Sequence, residues 1–393
     1  MKTTAFLHRT IPGLLALLLS VAGIPMQAQS DGQRYQTLAI RDEGHPTRHI
    51  LSGLALSPDR RTLAIAPTQS YPFRLYDLHE QRIITDLDAG NWYAGARTSF
   101  SAQGTYLLME QIFYLDLAPN KVRPVKFEIR EAATGKLVHR LEDTYNAVLA
   151  PDERTLYAIG PDGLRVMDLP GGAVHRIKHL EHLGHAVAVN TDGTRLAISH
   201  KPTKAELAAM PSVRSDKDAL KNLMKQGELV VIHDAATLKP LHVLDEPFDK
   251  IFRLEYSPDG RDLWILSKPH TRKGSSINVN QHHVSVADAT TGAMRRTAFP
   301  SLYPYDPDFG ISPDGTLFGI ASKGNKFMEI HLYDRTTGRM VDRFELSYRF
   351  RDATPLIDGE FGADGRVSFV FMPDGRRILM TFGTRVVEWT YGT

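Results

Sequence analysis

Four histidines fall close together in this chain, at His175, His179, His182 and His185. Imidazoles that converge in space bind zinc or another transition metal, and His182 and His185 are the candidate ligands here. There is no His-Glu-x-x-His spacing. The stretch also bridges two sequence repeats, so convergence is not built into it. The chain has no cysteine. That excludes disulfides, thiolate metal sites, covalent c-type haem and a cysteine nucleophile. No Gly-x-Ser-x-Gly elbow, phosphate-binding Gly-x-x-x-x-Gly-Lys loop or dinucleotide fingerprint occurs. No cofactor is expected, and no residue recommends itself as catalytic.

A second set of residues suits recognition. Trp92, Tyr93 and Arg97 stand together, as do Tyr303, Tyr305 and Asp306, and Arg349 and Arg351 flank Phe350. Aromatic and arginine side chains anchor interfaces because they bury much area and keep a polar handle. The competing role is packing between adjacent repeats. A third set is basic: Lys201, Lys204, Arg214, Lys217, Lys221 and Lys225 crowd residues 200–227. An anionic ligand is one use of such a patch. Nearby connections add Asp245, Glu246, Asp249, Asp306, Asp308, Asp352 and Asp358, so a solvated mixed rim is the other.

What positions these residues is a repeat. One phrase recurs as Ser57-Pro58-Asp59, Ser257-Pro258-Asp259-Gly260, Ser312-Pro313-Asp314-Gly315 and Met372-Pro373-Asp374-Gly375. Weaker copies stand at Ser101-Ala102-Gln103-Gly104, Ala150-Pro151-Asp152 and Asn190-Thr191-Asp192-Gly193. Each lies between short apolar runs, and Pro, Asp and Gly are tight-turn residues, so each predicts a hairpin. Each first phrase is followed by a strand ending at Asp77, Glu131, Asp168, Asp234, Asp288, Asp334 or Glu388. Gly stands four places later at 135, 172, 292, 338 and 392. The acid caps a second turn and the glycine ends it. Every repeat therefore holds four strands, a to d.

Seven such sheets in series predict an all-β, seven-bladed β-propeller over residues 31–393. The last repeat stops just after its c strand, and Arg34 to Ile40 offer a spare strand, so the N-terminal strand is expected to close the last blade. The pairing of Ser-Pro-Asp-Gly with Val286-Ala287-Asp288-Ala289-Thr290-Thr291-Gly292, or with Leu332-Tyr333-Asp334-Arg335-Thr336-Thr337-Gly338, resembles the YVTN-type and WD-repeat-like propellers of bacteria. The Gly-His and Trp-Asp pairs of eukaryotic-type WD repeats do not recur. The resemblance implies a propeller fold and admits two functions. One is a binding platform. The other is an enzyme, since similar propellers include lactonases and quinone-dependent dehydrogenases.

Repeat length varies in one place. From the first turn to the acidic residue, the separations are 18, 28, 16, 42, 29, 20 and 14 residues. The excess in blades 2, 4 and 5 falls between strands b and c, and another extension, 346–362, joins strand d of blade 6 to strand a of blade 7. In an up-and-down blade both connections leave at one face, and loops on a rigid scaffold are where binding resides. The blade 4 insertion, about 201–227, predicts two helices. Thr203 and Glu206 form a capping box for the first. Ser215 caps the second, Leu220, Leu223 and Met224 share its stripe, and Gly227 stops it.

Lys2, Arg9 and the apolar run from Ile11 to Ile24 predict a signal peptide over residues 1–28. The run is short for a membrane span, so no integral span remains after cleavage, and the mature chain is periplasmic or secreted. Cleavage removes two basic residues and takes the formal charge from +2 to 0. That leaves no global pull toward nucleic acid. The expected function is an exported, non-catalytic platform for a protein, peptide or glycan partner.

Overall fold

The computed structural model describes residues 35–37, 51–68, 72–92, 95–112, 125–179, 183–269, 282–302, 307–323, 327–347, 367–382 and 385–392. Residues 1–28, predicted from sequence as a signal peptide, and Tyr93, His182, Tyr303, Tyr305, Asp306, Arg349 and Arg351 lie outside them. Among the described residues, 28 strands form seven four-stranded antiparallel sheets. Blade 1 shows the pattern, with strands Leu51–Leu56, Thr62–Pro67, Phe73–Asp77 and Arg82–Leu87 in spatial order. The innermost strands of the other blades are Ala96–Phe100, Asn146–Leu149, Leu183–Val189, Phe248–Tyr256, Phe309–Ile311 and Phe369–Phe371. In the last sheet, Tyr35–Thr37 lies antiparallel to Arg385–Thr390, with Tyr35 opposite Trp389.

Turn chemistry sets this regularity. Ser57 Oγ meets the Asp59 carboxylate and accepts the Thr62 N–H at 2.8 Å. Ser257 and Asp259 repeat the arrangement, as do Ser312 and Asp314. In the second turn Asp288 Oδ1 accepts the N–H groups of Thr290 and Thr291 at 2.9 and 2.8 Å. The five glycines that end these turns all hold φ between +69° and +72°, a region where any Cβ is crowded. Gln81 and Leu238 take φ of 52° and 58° where glycine is missing, and those two turns carry that strain.

The apolar residues form one cluster at each blade junction. Leu54, Leu63 and Ile65 of blade 1 pack with Leu379 and Val386 of blade 7, and Phe344 of blade 6 packs with Ile378, Met380 and Trp389 of blade 7. The junctions between blades 1–2, 2–3, 3–4, 4–5 and 5–6 are filled likewise. Among the described residues, each of these seven clusters draws on two neighbouring blades. Burying both faces against neighbours is what drives seven small sheets into a ring.

The blade 4 insertion contains helices α1 (Lys204–Ala209) and α2 (Lys217–Gln226). The expected capping box is present, with Thr203 Oγ1 accepting the Glu206 N–H and Glu206 Oε2 accepting the Thr203 N–H. Two details differ from expectation. Asp216, not Ser215, caps α2, because its carboxylate reaches the Ala219 N–H at 2.9 Å. Met224 is exposed, and Ala219 takes its place beside buried Leu223. The helices enclose a small core of Leu207, Met210, Val213, Ala219, Leu223 and Leu229. Among the described residues no helix is long and apolar enough to cross a membrane.

Candidate functional site

The inner strands of all seven blades surround a central cavity of about 650 Å³, within the usual range for small-ligand sites. Its two ends differ. At one end stand Arg60, Pro258, Pro313 and Pro373, which belong to the tight a–b turns. At the other stand Arg97, Glu110, Asn146 and Asp308, at the start of an inner strand or the end of the strand beside it. Antiparallel order puts the b–c and d–a connections at that second end.

Arg97 and Glu110 face each other across adjacent strands of blade 2, with Nη1 and Oε2 2.8 Å apart. Asn146 of blade 3 donates to Glu110 Oε1 at 3.1 Å, and its Oδ1 accepts the Val187 N–H of blade 4 at 2.9 Å. In blade 5, Arg253 lies 3.9 Å over the ring of Phe309 and donates to the Pro307 carbonyl at 3.3 Å. Asp308 of blade 6 accepts from Ser368 Oγ at 2.7 Å and from the Phe369 N–H at 3.1 Å. Ser368 Oγ in turn accepts the Leu54 N–H of blade 1 at 3.0 Å.

The remaining junctions are bridged in the same way. Ser52 Oγ of blade 1 accepts the Ala96 N–H of blade 2 at 3.1 Å. Glu228 of blade 4 accepts the Ile251 N–H of blade 5 at 2.6 Å and lies 3.4 Å from His185 Nδ1. Burial pushes the Glu228 carboxyl up, but His185 and the Ile251 N–H outweigh it and hold it below the usual carboxylate range. A polar side chain therefore crosses every blade junction around the cavity. Each bond also satisfies a backbone or side-chain group that the ring buries.

The sequence candidates fare unevenly. Arg97 lies on the cavity wall. Trp92 does not, and its reading as a partner-binding residue gives way to the competing one, packing between adjacent repeats. Its side chain is fully buried, edge-on to Phe73, with Nε1 donating to the Ala89 carbonyl at 3.1 Å and Lys126 Nζ 4.2 Å over its ring. An indole needs both an apolar bed and one acceptor, and the blade 1–2 junction supplies both.

Of the four histidines, the three that are described, His175, His179 and His185, do not share a site. His175 pairs with Asp168 at 2.5 Å, His179 contacts the Asp162 carbonyl at 3.1 Å, and His185 is buried beside Glu228. Among the described residues no group of three or more His, Asp or Glu is placed to hold a metal ion. The lysines of the insertion are solvent-exposed, as a solvated rim requires. Sequence reasoning passed over Glu110, Asn146, Arg253 and Glu228, and counted Asp308 only among the rim acids. Each has its partner in another strand or blade, so no local pattern marks it.

No protein-family model matches this chain, and no curated protein matches it. Among solved structures, the β-propeller domain of Myceliophteria thermophila Cps50 (Swd1) is similar at TM-score 0.58 and 14% identity. The match covers 92% of this chain and 100% of that one. At that identity the likeness speaks for architecture alone. The chain is a seven-bladed β-propeller, structurally similar to a WD40 propeller.

Proposed function

We propose that this chain is an exported, YVTN-type propeller that works as a non-catalytic binding scaffold. It engages a protein, peptide or glycan at the face where the b–c and d–a connections leave the blades. The observation that carries this reading is the polarity of the cavity. Its Arg97–Glu110–Asn146 and Asp308 end coincides with the end where the long connections leave the strands, and among the described residues the opposite end has tight turns. Export rests on Lys2, Arg9 and the apolar run that follows them. The N-terminal strand acts as the latch of the ring, a role supported by the pairing of Tyr35–Thr37 with Arg385–Thr390.

The test is replacement of Tyr93, Tyr303 and Tyr305 together by Ala. Affinity capture from envelope or secreted fractions should lose its partner while the melting temperature stays near wild type. Unchanged capture, or lactonase or dehydrogenase turnover by the wild-type protein, would overturn the reading.

A further inference from the structure

We infer that the central cavity takes a neutral, polyhydroxylated ligand, the end of a saccharide chain or a free short saccharide. This rests on the reading of the loop-bearing face as a binding face and names the chemistry of the cavity. The charged groups lining the cavity are Arg60, Arg97 and Arg253 against Glu110, Glu255 and Asp308, so they balance. Two of the arginines at the open wall already face a carboxylate. Arg97 is 2.8 Å from Glu110, and Arg253 lies 3.8 Å from both Glu255 and Asp308.

An anionic ligand gains little from arginines neutralised in this way, and a cationic ligand gains little from the carboxylates. A hydroxyl behaves differently because it donates and accepts at once. An arginine N–H beside a carboxylate oxygen satisfies both roles from one spot. The planar fork of Arg97, with Glu110 and Asn146 bonded alongside, presents such donor and acceptor sites in sequence around the wall. Half-buried Phe100 and Phe371 line the same cavity, and aromatic rings supply apolar bodies for the C–H faces of a sugar. The volume suits a ligand of one to a few rings rather than a folded domain.

The experiment is titration calorimetry of the full mature chain with maltose, cellobiose and chitobiose, with digalacturonate and tetraglycine as comparison probes. At least one neutral disaccharide should bind with Kd below about 10 mM. Its affinity should be nearly the same in low and high salt, because no net charge is exchanged. Arg97→Gln should weaken binding by about tenfold or more, the loss of one strong polar contact. Glu255→Gln, at a half-buried position, should weaken it less while leaving the fold intact. Three results would each overturn the inference: no neutral disaccharide bound at that limit, tighter binding of digalacturonate or tetraglycine, or Arg97→Gln and Glu255→Gln both binding as wild type. Partner capture that depends on Tyr93, Tyr303 and Tyr305, with no saccharide bound, would sink this inference and leave the scaffold reading standing.

Discussion

Asn146 hydrogen-bonds Glu110 across the junction of blades 2 and 3, Nδ2 to Oε1, at 3.1 Å. The same amide accepts the Val187 N–H of blade 4, so one side chain ties three blades together. Asn146→Ala removes both bonds and leaves a backbone N–H and a carboxylate oxygen with one partner fewer. The expected loss is about 1–3 kcal/mol, read as a fall in denaturant midpoint. Asn146→Asp keeps the acceptor for Val187 but sets a second carboxylate against Glu110. It should be at least as costly, and recovery of stability at low pH would show that the charge is the cause.

The opposite side of the ring makes the same prediction through Asp308. Its carboxylate takes both Ser368 Oγ and the Phe369 N–H. Asp308→Ala should cost about 1–3 kcal/mol, and Asp308→Asn, which keeps an acceptor, should cost less. Equal losses in the two variants would mean that packing, not the hydrogen bonds, holds this junction.

Gly53 marks a close backbone approach of blades 1 and 2. A Cβ built there falls 2.4 Å from the Ala96 carbonyl oxygen, a backbone atom that cannot rotate away. Gly53→Ala should destabilise the ring by about 2–3 kcal/mol through overpacking. Gly375→Ala serves as the comparison: nothing lies within 4 Å of its Cβ, and only the strain of φ +66° opposes it.

Two groups illustrate how the stability curve falls on its acid side. His233 is pushed down to about 4, first by burial and then by Lys178, whose Nζ stands 3.1 Å from its Nδ1. Its folded value lies below its unfolded one near 6.5, so the unfolded chain binds the extra proton. The contribution is complete above about pH 6.5 and is lost as pH falls toward 4. His233→Gln should flatten the melting temperature across that window.

Asp259 acts lower on the scale. Burial raises its carboxyl, but hydrogen bonds from Arg335 and Ser257 outweigh that and hold it far below the usual range. Arg335 joins it to Asp262 across blades 5 and 6. A depressed carboxyl stabilises the fold above about pH 4 and ceases to do so as pH falls below it. Arg335→Met should move the acid-unfolding midpoint upward and leave the His233 window unchanged.

The architecture was legible because its causes are local. The Ser-Pro-Asp-Gly and Asp-x-x-Thr-Gly turns specify themselves within five or six residues, and Asp288 with Thr290 and Thr291 behaves as its spacing requires. Where a turn lost its glycine, at Gln81 and Leu238, the neighbouring acid still marked it. The site was less legible because its causes are distant. Glu110 and Asn146 are 36 residues apart, and Arg253 and Pro307 are 54 apart. Nothing beside Asn146 in the sequence distinguishes it from any polar residue opening a strand. Trp92 misled for the opposite reason. It stands between a strand and Gly95 among residues typical of a loop, yet the junction of blades 1 and 2 closes over it.

The face assignment can be tested directly by site-specific photo-crosslinking on the full chain. One probe replaces exposed Lys221 on α2, at the loop-bearing face, and another replaces exposed Arg376 in the a–b turn of blade 7, at the opposite face. The account predicts a discrete adduct from position 221 that free partner competes away, and none from position 376. An adduct from position 376 alone would contradict it.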